Sequence, residues 1–241
     1  MPRPDGACSC YLVQTGRAAV LFDIGSGAAS KLQQAIEYGS LDAIVISHMH
    51  ADHFFDLVPL RYGLKYGEAS RHSRLPLWLP PGGRRALEAL RAAVSVDAPP
   101  DFFESVFAIE EYDPGAGLQV KDVRLRFCRT RHYIETYAMR AECGDASLTY
   151  SADTAPCNGV VELAREAKIF LCEAALGLGA EDGERGHSSA EESGEMARRA
   201  DAKRLVLTHY PNGDAGALVD CAKRRFASLV SAAEDGMEIA L

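Results

Sequence analysis

"AIVISHMHADHFFD", Ala43 to Asp56, is the stretch on which the reading of this chain turns. Ala43 to Ser47 has the length and β-branched content of a buried strand, and it stops immediately before His48. The chain has seven histidines, and three of them stand here beside Asp52 and Asp56. His48-x-His50-x-Asp52-His53 therefore offers four metal-ligating side chains on one loop that leaves a strand. Imidazole nitrogens and a carboxylate suit zinc and similar divalent ions, and the lack of cysteine in the motif argues against a closed structural cage. Neighbours such as Asp52 and His53 project in different directions, so one ion is poorly served by all four. Two ions, with further ligands from distant loops and positions left open for water, are the natural solution.

Working outward, Cys10–Thr15 and Ala19–Asp23 read as two short strands turned at Gly16–Arg17. Asp23 leads into the glycine-punctuated "DIGSG", where the chain turns tightly. Ser30 is placed to cap a helix running to about Tyr38. Phe54, Leu57, Val58, Leu60 and Leu64 recur near helical spacing, with Pro59 kinking or delaying that helix. "LPLWLPPGG" gives a strand and loop, and Arg84–Val94 a helix. Val106–Tyr112, Leu118–Val120 and Val123–Arg129 read as strands; the last sets Arg124, Arg126 and Arg129 on a face better read as solvated than as phosphate-binding. "ETYAMRAEC" and "SLTYSAD" form a strand pair turned at Gly144–Asp145, followed by a helix over Asn158–Ala164 and a strand over Ile169–Cys172. Ser189–Ala200 is a helix opened by a capping-box pattern, "RLVLTH" a buried strand ending at His209, Ala215–Val230 a last helix and "MEIAL" an edge strand. Sheets sandwiched between helical layers, an α/β fold, follow from this order.

Three further residues stand where an apolar run stops: His132 after "LRFCRTR", Asp153 in "TYSADT" and His209 in "VLTHY". Singly, each has a plain reading as a surface histidine, a turn cap or a core histidine. Their shared placement makes them candidate metal ligands, because a sheet scaffold presents functional loops at strand ends. His187 in "ERGHSSAEE" can protonate a leaving oxygen or simply serve the following helix. Asp23 can orient a ligating histidine through its second ring nitrogen, and Glu173 after "IFLC" can do the same with weaker support. His72 has no constellation around it and is expected to be exposed.

Composition bounds the alternatives. The 241 residues, 47% of them hydrophobic, can bury one substantial core, and residues 1–241 are read as a single domain. A net charge of −8 argues against a protein that holds nucleic acid mainly through a broad cationic surface. Seven cysteines without CxxC spacing read as reduced, mostly buried thiols of a cytoplasmic protein. Neither a membrane-spanning run nor a signal segment is found in the sequence.

"VLFDIG", "SHMHADH", "RHYIETYAMR", "YSADT", "CEAAL", "GHSS" and "LTHY" stand in an order that resembles the metallo-β-lactamase-fold hydrolases of the ribonuclease Z-like branch. Within it, "PDGACSCYLVQTG", "ISHMHADHFFDLVPL" and "IFLCEAAL" look like actinobacterial proteins similar to atypical class II-like 3′,5′-cyclic-nucleotide phosphodiesterases. The resemblance implies a four-layer αβ/βα sandwich with a dinuclear site at one sheet edge. It assigns His48, His50 and His132 to one metal and Asp52, His53 and His209 to the other, with Asp153 bridging. His187 would assist outside the metals, and the chain could form a homodimer, as the branch often does. Two departures stand out. The family's usual first strand would precede "PDG", so either the start is shortened or that strand is missing here, and Ala152 occupies a position usually held by glycine.

The expected activity is hydrolysis of a phosphodiester in a small molecule, a 3′,5′-cyclic nucleotide foremost. Two divalent metals, zinc before manganese or iron, would be the cofactors, and Asp52, Asp153 and His187 the proton-handling residues. The interval from His132 to Asp153 holds a hairpin but not the protruding arm with which many bacterial ribonuclease Z enzymes grip transfer RNA. Transfer-RNA 3′-end cleavage is therefore the second reading. Ester, lactone or sulfate-ester hydrolysis is the third, and a non-catalytic metal- or nucleotide-binding module the fourth.

Overall fold

The computed structural model describes residues 6–67, 73–94, 98–179 and 183–241. His72 lies outside them. The chain forms two compact units: residues 2–113 with 120–122, and residues 114–119 with 123–241.

In the first unit, β1 (Tyr11–Gln14), β2 (Ala19–Phe22), β3 (Ala43–Val45), β4 (Leu75–Leu79) and β5 (Phe107–Glu111) form one sheet in sequence order. β1 and β2 pair antiparallel, and β2 through β5 run parallel. Parallel strands bury both faces and so read as continuous apolar runs; β2 and β3 are buried at every position. Helices α1 (Ala28–Ala35), α2 (Ala51–Phe54), α3 (Leu57–Tyr66) and α4 (Gly83–Val94) accompany the sheet. Leu32, Leu57, Leu60 and Leu87 from these helices join Leu21, Ile44, Leu77 and Phe107 from the strands in one apolar core.

One sequence expectation changes here and another is narrowed. Ser30 does not cap α1: it lies inside the helix, and Gly27 at the cap position makes no side-chain bond. Asp56, distant in sequence, serves instead, its Oδ2 accepting from the Ala29 amide at 2.9 Å. Of the two effects expected of Pro59, a kink or a delay, delay is what is found: α2 ends at Phe54 and a new helix starts at Leu57. Pro59 sits in the first turn of α3, where a missing N–H leaves no intrahelical bond unmade.

The second unit is built on a seven-stranded sheet in the order β12-β11-β10-β9-β8-β7-β6. The strands are β6 (Leu118–Val120), β7 (Val123–Arg129), β8 (Tyr137–Cys143), β9 (Ala146–Tyr150), β10 (Ile169–Glu173), β11 (Arg204–Thr208) and β12 (Leu229–Ala232). β7, β8 and β9 are antiparallel neighbours, with the β8–β9 turn at Gly144 in left-handed backbone; β9 through β12 are parallel. Helices α5 (Asn158–Leu163), α6 (Ala190–Arg199) and α7 (Ala215–Lys223) contribute Val160, Met196 and Leu218 to a core shared with Phe170, Leu205 and Leu207. The capping box of α6 forms as the sequence indicates, Ser189 accepting from the Glu192 amide. On β7, Arg124, Arg126 and Arg129 are exposed, and Arg126 pairs with Glu142 of β8.

The C-terminal expectation is corrected: α7 ends at Lys223, Leu229–Ala232 is the edge strand, and residues 237–241 have no regular structure. A four-residue run gains strand geometry by pairing with β11, which local periodicity does not reveal. All seven cysteines are free thiols; Cys8, Cys172 and Cys221 are buried and the other four partly so. Among the described residues no helix is long and apolar enough to cross a membrane.

Candidate metal centre

Parallel pairing fixes where the loops emerge. In the first unit Phe22 of β2 stands opposite Val45 of β3, so Asp23 and Ser47 leave the same sheet edge at the carboxyl ends of their strands. That is the edge on which open α/β sheets carry their sites. Asp23, fully buried, accepts from the Ser47 amide at 2.7 Å, the Ser47 hydroxyl at 2.7 Å and His53 Nδ1 at 2.8 Å. The hydroxyl of Ser47 is in turn 3.0 Å from His48 Nδ1. With Ser47 donating to Asp23, it accepts from His48, and both His48 and His53 are assigned the tautomer whose Nε2 carries the lone pair.

The remaining nitrogens suit a cation. His48 Nε2 lies 3.2 Å from His50 Nδ1. Two nitrogens about 2.05 Å from a tetrahedral zinc ion would be about 3.3 Å apart, so this pair has the spacing of two ligands on one metal. Asp52 Oδ2 is 3.8 Å from His53 Nε2. The "DIG" loop braces this arrangement: the Ile24 amide donates to the His53 carbonyl at 2.7 Å, and the Asp56 amide to that of Ile24 at 3.1 Å. Only glycine fits at position 25, because a Cβ there would stand 1.9 Å from the Asp52 carbonyl oxygen.

In the second unit the carboxyl ends of β9, β10 and β11 also line one edge, since Leu171 pairs with Tyr150 and Glu173 with Thr208. Asp153, Glu173 and His209 emerge there. Asp153 directs its two oxygens to different histidines: Oδ2 lies 3.8 Å from His132 Nε2, and Oδ1 lies 3.7 Å from His209 Nδ1. These separations are too long for hydrogen bonds. They leave space for a cation between each pair, the posture of a bridging carboxylate. His132 Nδ1 donates to the Gly186 carbonyl at 2.7 Å, which directs Nε2 towards Asp153. His187 is held through Nδ1 by Glu173 at 2.9 Å, stacks on His209 at 5.7 Å and meets His132 edge-on at 4.9 Å. Asp153, His187 and His209 can each offer a ligand atom within 4.8 Å of the others.

Glu173 is fully buried and accepts from the Thr154 and Ala175 amides as well as from His187. Burial pushes its carboxyl above the usual range; the hydrogen bond from His187 pulls the other way, and the negative charge of Asp153 adds to the rise. The sequence reading did not single out Ser47, the Gly186 carbonyl or Tyr133. A serine before a ligand and a backbone oxygen carry no signature of their own; Tyr133, directly after His132, offered position alone.

The family model described as the beta-lactamase superfamily domain matches residues 19–210. The probable metallo-hydrolase YhfI of Bacillus subtilis strain 168 is 28% identical over 213 residues, which is 88% of this chain and 83% of that protein. The crystal structure of the metallo-β-lactamase fold protein YhfI superposes with a TM-score of 0.86 at 27% identity, covering 98% of this chain and 93% of its own. Ribonuclease Z of Mycobacterium sp. strain KMS is 30% identical over 234 residues, covering 87% of this chain and 80% of its own.

Proposed function

From the premise that the chain belongs to the metallo-β-lactamase fold family and is a metallo-hydrolase, we propose that it cleaves a phosphodiester in a small molecule, with a 3′,5′-cyclic nucleotide as the leading candidate. The observation that carries the reading is the posture of Asp153, one carboxylate oxygen facing His132 and the other His209. In this reading His48, His50 and His132 would hold one divalent metal, zinc foremost, Asp52, His53 and His209 would hold a second, and Asp153 would be a ligand to both. Bound there, such ions supply Lewis acidity and bring the ionisation of water towards neutrality.

The chain's own residues do the rest. Asp23, Ser47 and the Gly186 carbonyl fix the tautomers of His53, His48 and His132, so ligand lone pairs need no reorganisation before reaction. Asp52 or Asp153 takes the proton of the attacking water. As the water oxygen bonds to phosphorus, the opposite phosphorus–oxygen bond breaks, and His187 gives its Nε2 proton to the departing alkoxide. Glu173 on Nδ1 keeps that imidazole oriented.

Two features support a small substrate over RNA. The net charge is −8. β8, β9 and their short connections fill the chain between His132 and Asp153, so no arm is inserted there. The 30% identity to ribonuclease Z favours transfer-RNA 3′-end cleavage as the second reading. The test is metal content and cyclic-nucleotide hydrolysis of the wild type and His50→Ala. A metal-loaded, active wild type and a variant weakened on the order of 100-fold or more are expected. Activity retained without metal would reject the scheme, and faster cleavage of precursor transfer RNA than of small diesters would reverse the ranking.

A further inference from the structure

We propose that Tyr133 is the platform on which the planar, aromatic part of the substrate stacks, an inference that rests on the phosphodiesterase reading and narrows it to diesters bearing a nucleobase. Tyr133 follows His132 directly. Its ring lies 5.1 Å from that of His132 at 51°, and 5.9 Å from that of His187 at 68°. Gly186 backs it closely: a Cβ there would fall 2.7 Å from Cε2 and 2.8 Å from Cδ2 of Tyr133. Despite these contacts Tyr133 is 61% exposed, and its neighbour Ile134 is 38% exposed.

A ring braced by two imidazoles and a bare stretch of backbone has already lost much of its rotational freedom. A ligand that covers its open surface therefore loses less entropy than it would on a mobile side chain. Every nucleobase has a π-face, so such a platform accepts any base and favours it over a group with no ring. Tyr133 stands in direct ring contact with His187, the side chain assigned to the departing oxygen.

The test is calorimetric binding of adenosine 5′-monophosphate and ribose 5-phosphate to the metal-loaded protein. Base stacking predicts roughly 5- to 100-fold tighter binding of the nucleotide by the wild type. Tyr133→Phe should keep that ratio, whereas Tyr133→Ala and Tyr133→Leu should bring it to about one. On 3′,5′-cyclic adenosine monophosphate, the loss in Tyr133→Ala should fall on KM rather than kcat. A wild-type ratio of one, a ratio retained in Tyr133→Ala, or loss in Tyr133→Phe would overturn the inference and leave the phosphodiesterase reading intact. A ring-dependent ratio in a protein that hydrolyses no diester would remove the phosphodiesterase reading and keep the platform.

Discussion

Asp23, Ala152 and His209 adopt left-handed backbone, with φ of 57°, 49° and 49°. Each costs on the order of 1 kcal/mol for a residue with a Cβ, and such strain persists only where the surroundings over-determine it. At Asp23 and His209 the strained turn is what swings a candidate site residue off the end of a strand. At Ala152 the backbone takes a conformation that glycine adopts freely, and the smallest residue with a Cβ stands there just before Asp153. Gly186 meets the opposite demand, since its hydrogen faces His132 Nδ1 where a Cβ would stand 2.7 Å away. Gly186→Ala should displace His132 and weaken metal binding by roughly 10- to 100-fold, measured by competition with a chromophoric chelator. Unchanged affinity would show that His132 is not held by this contact. The histidine motif was legible because its four candidate ligands fall within six residues. The braces were not, because a carbonyl or a missing Cβ leaves no mark in a sequence.

Among the elements, α1 shows how capping can be misread. Ser30 looks like a cap because serine commonly is one, yet the amides at the start of α1 are served by Asp56 from beyond the histidine motif. Burial pushes the Asp56 carboxyl above its ordinary value of 3.8, with the α1 amides opposing. A raised folded-state value means that its contribution to stability is fully present below the unfolded value and is lost as pH rises through the folded one. The stability of the wild type relative to Asp56→Asn should therefore increase as pH falls from about 7 to about 4, read from urea midpoints. A decrease would mean that the amides outweigh burial. Asp56→Ala should lose about 1 kcal/mol at neutral pH, the usual worth of a cap. The end of α7 failed for a related reason. Whether Leu229–Ala232 continues a helix or joins a sheet is decided by β11, not by its own four residues.

For the molecule as a whole, the α/β character and the order of strands were readable because buried parallel strands are short apolar runs between glycine-rich turns. The interleaved boundaries of the two compact units, at 113/114, 119/120 and 122/123, have no mark of their own in the composition. Each unit carries its candidate ligands at the carboxyl edge of parallel strands, so divalent metal should stabilise the fold by mass action. Chelation should cost about 3–4 kcal/mol if metal is present at 100 to 1,000 times its dissociation constant, seen as a lower melting temperature that zinc restores. An unchanged melting temperature in a protein verified to be metal-loaded would contradict that coupling. The turn at Gly144 enters β9 at the end away from Asp153, and the five residues of that strand span about 17 Å. A fluorophore or a surface tether introduced at this turn would sit a strand's length from the chemistry, a place by which to hold the protein while watching it work.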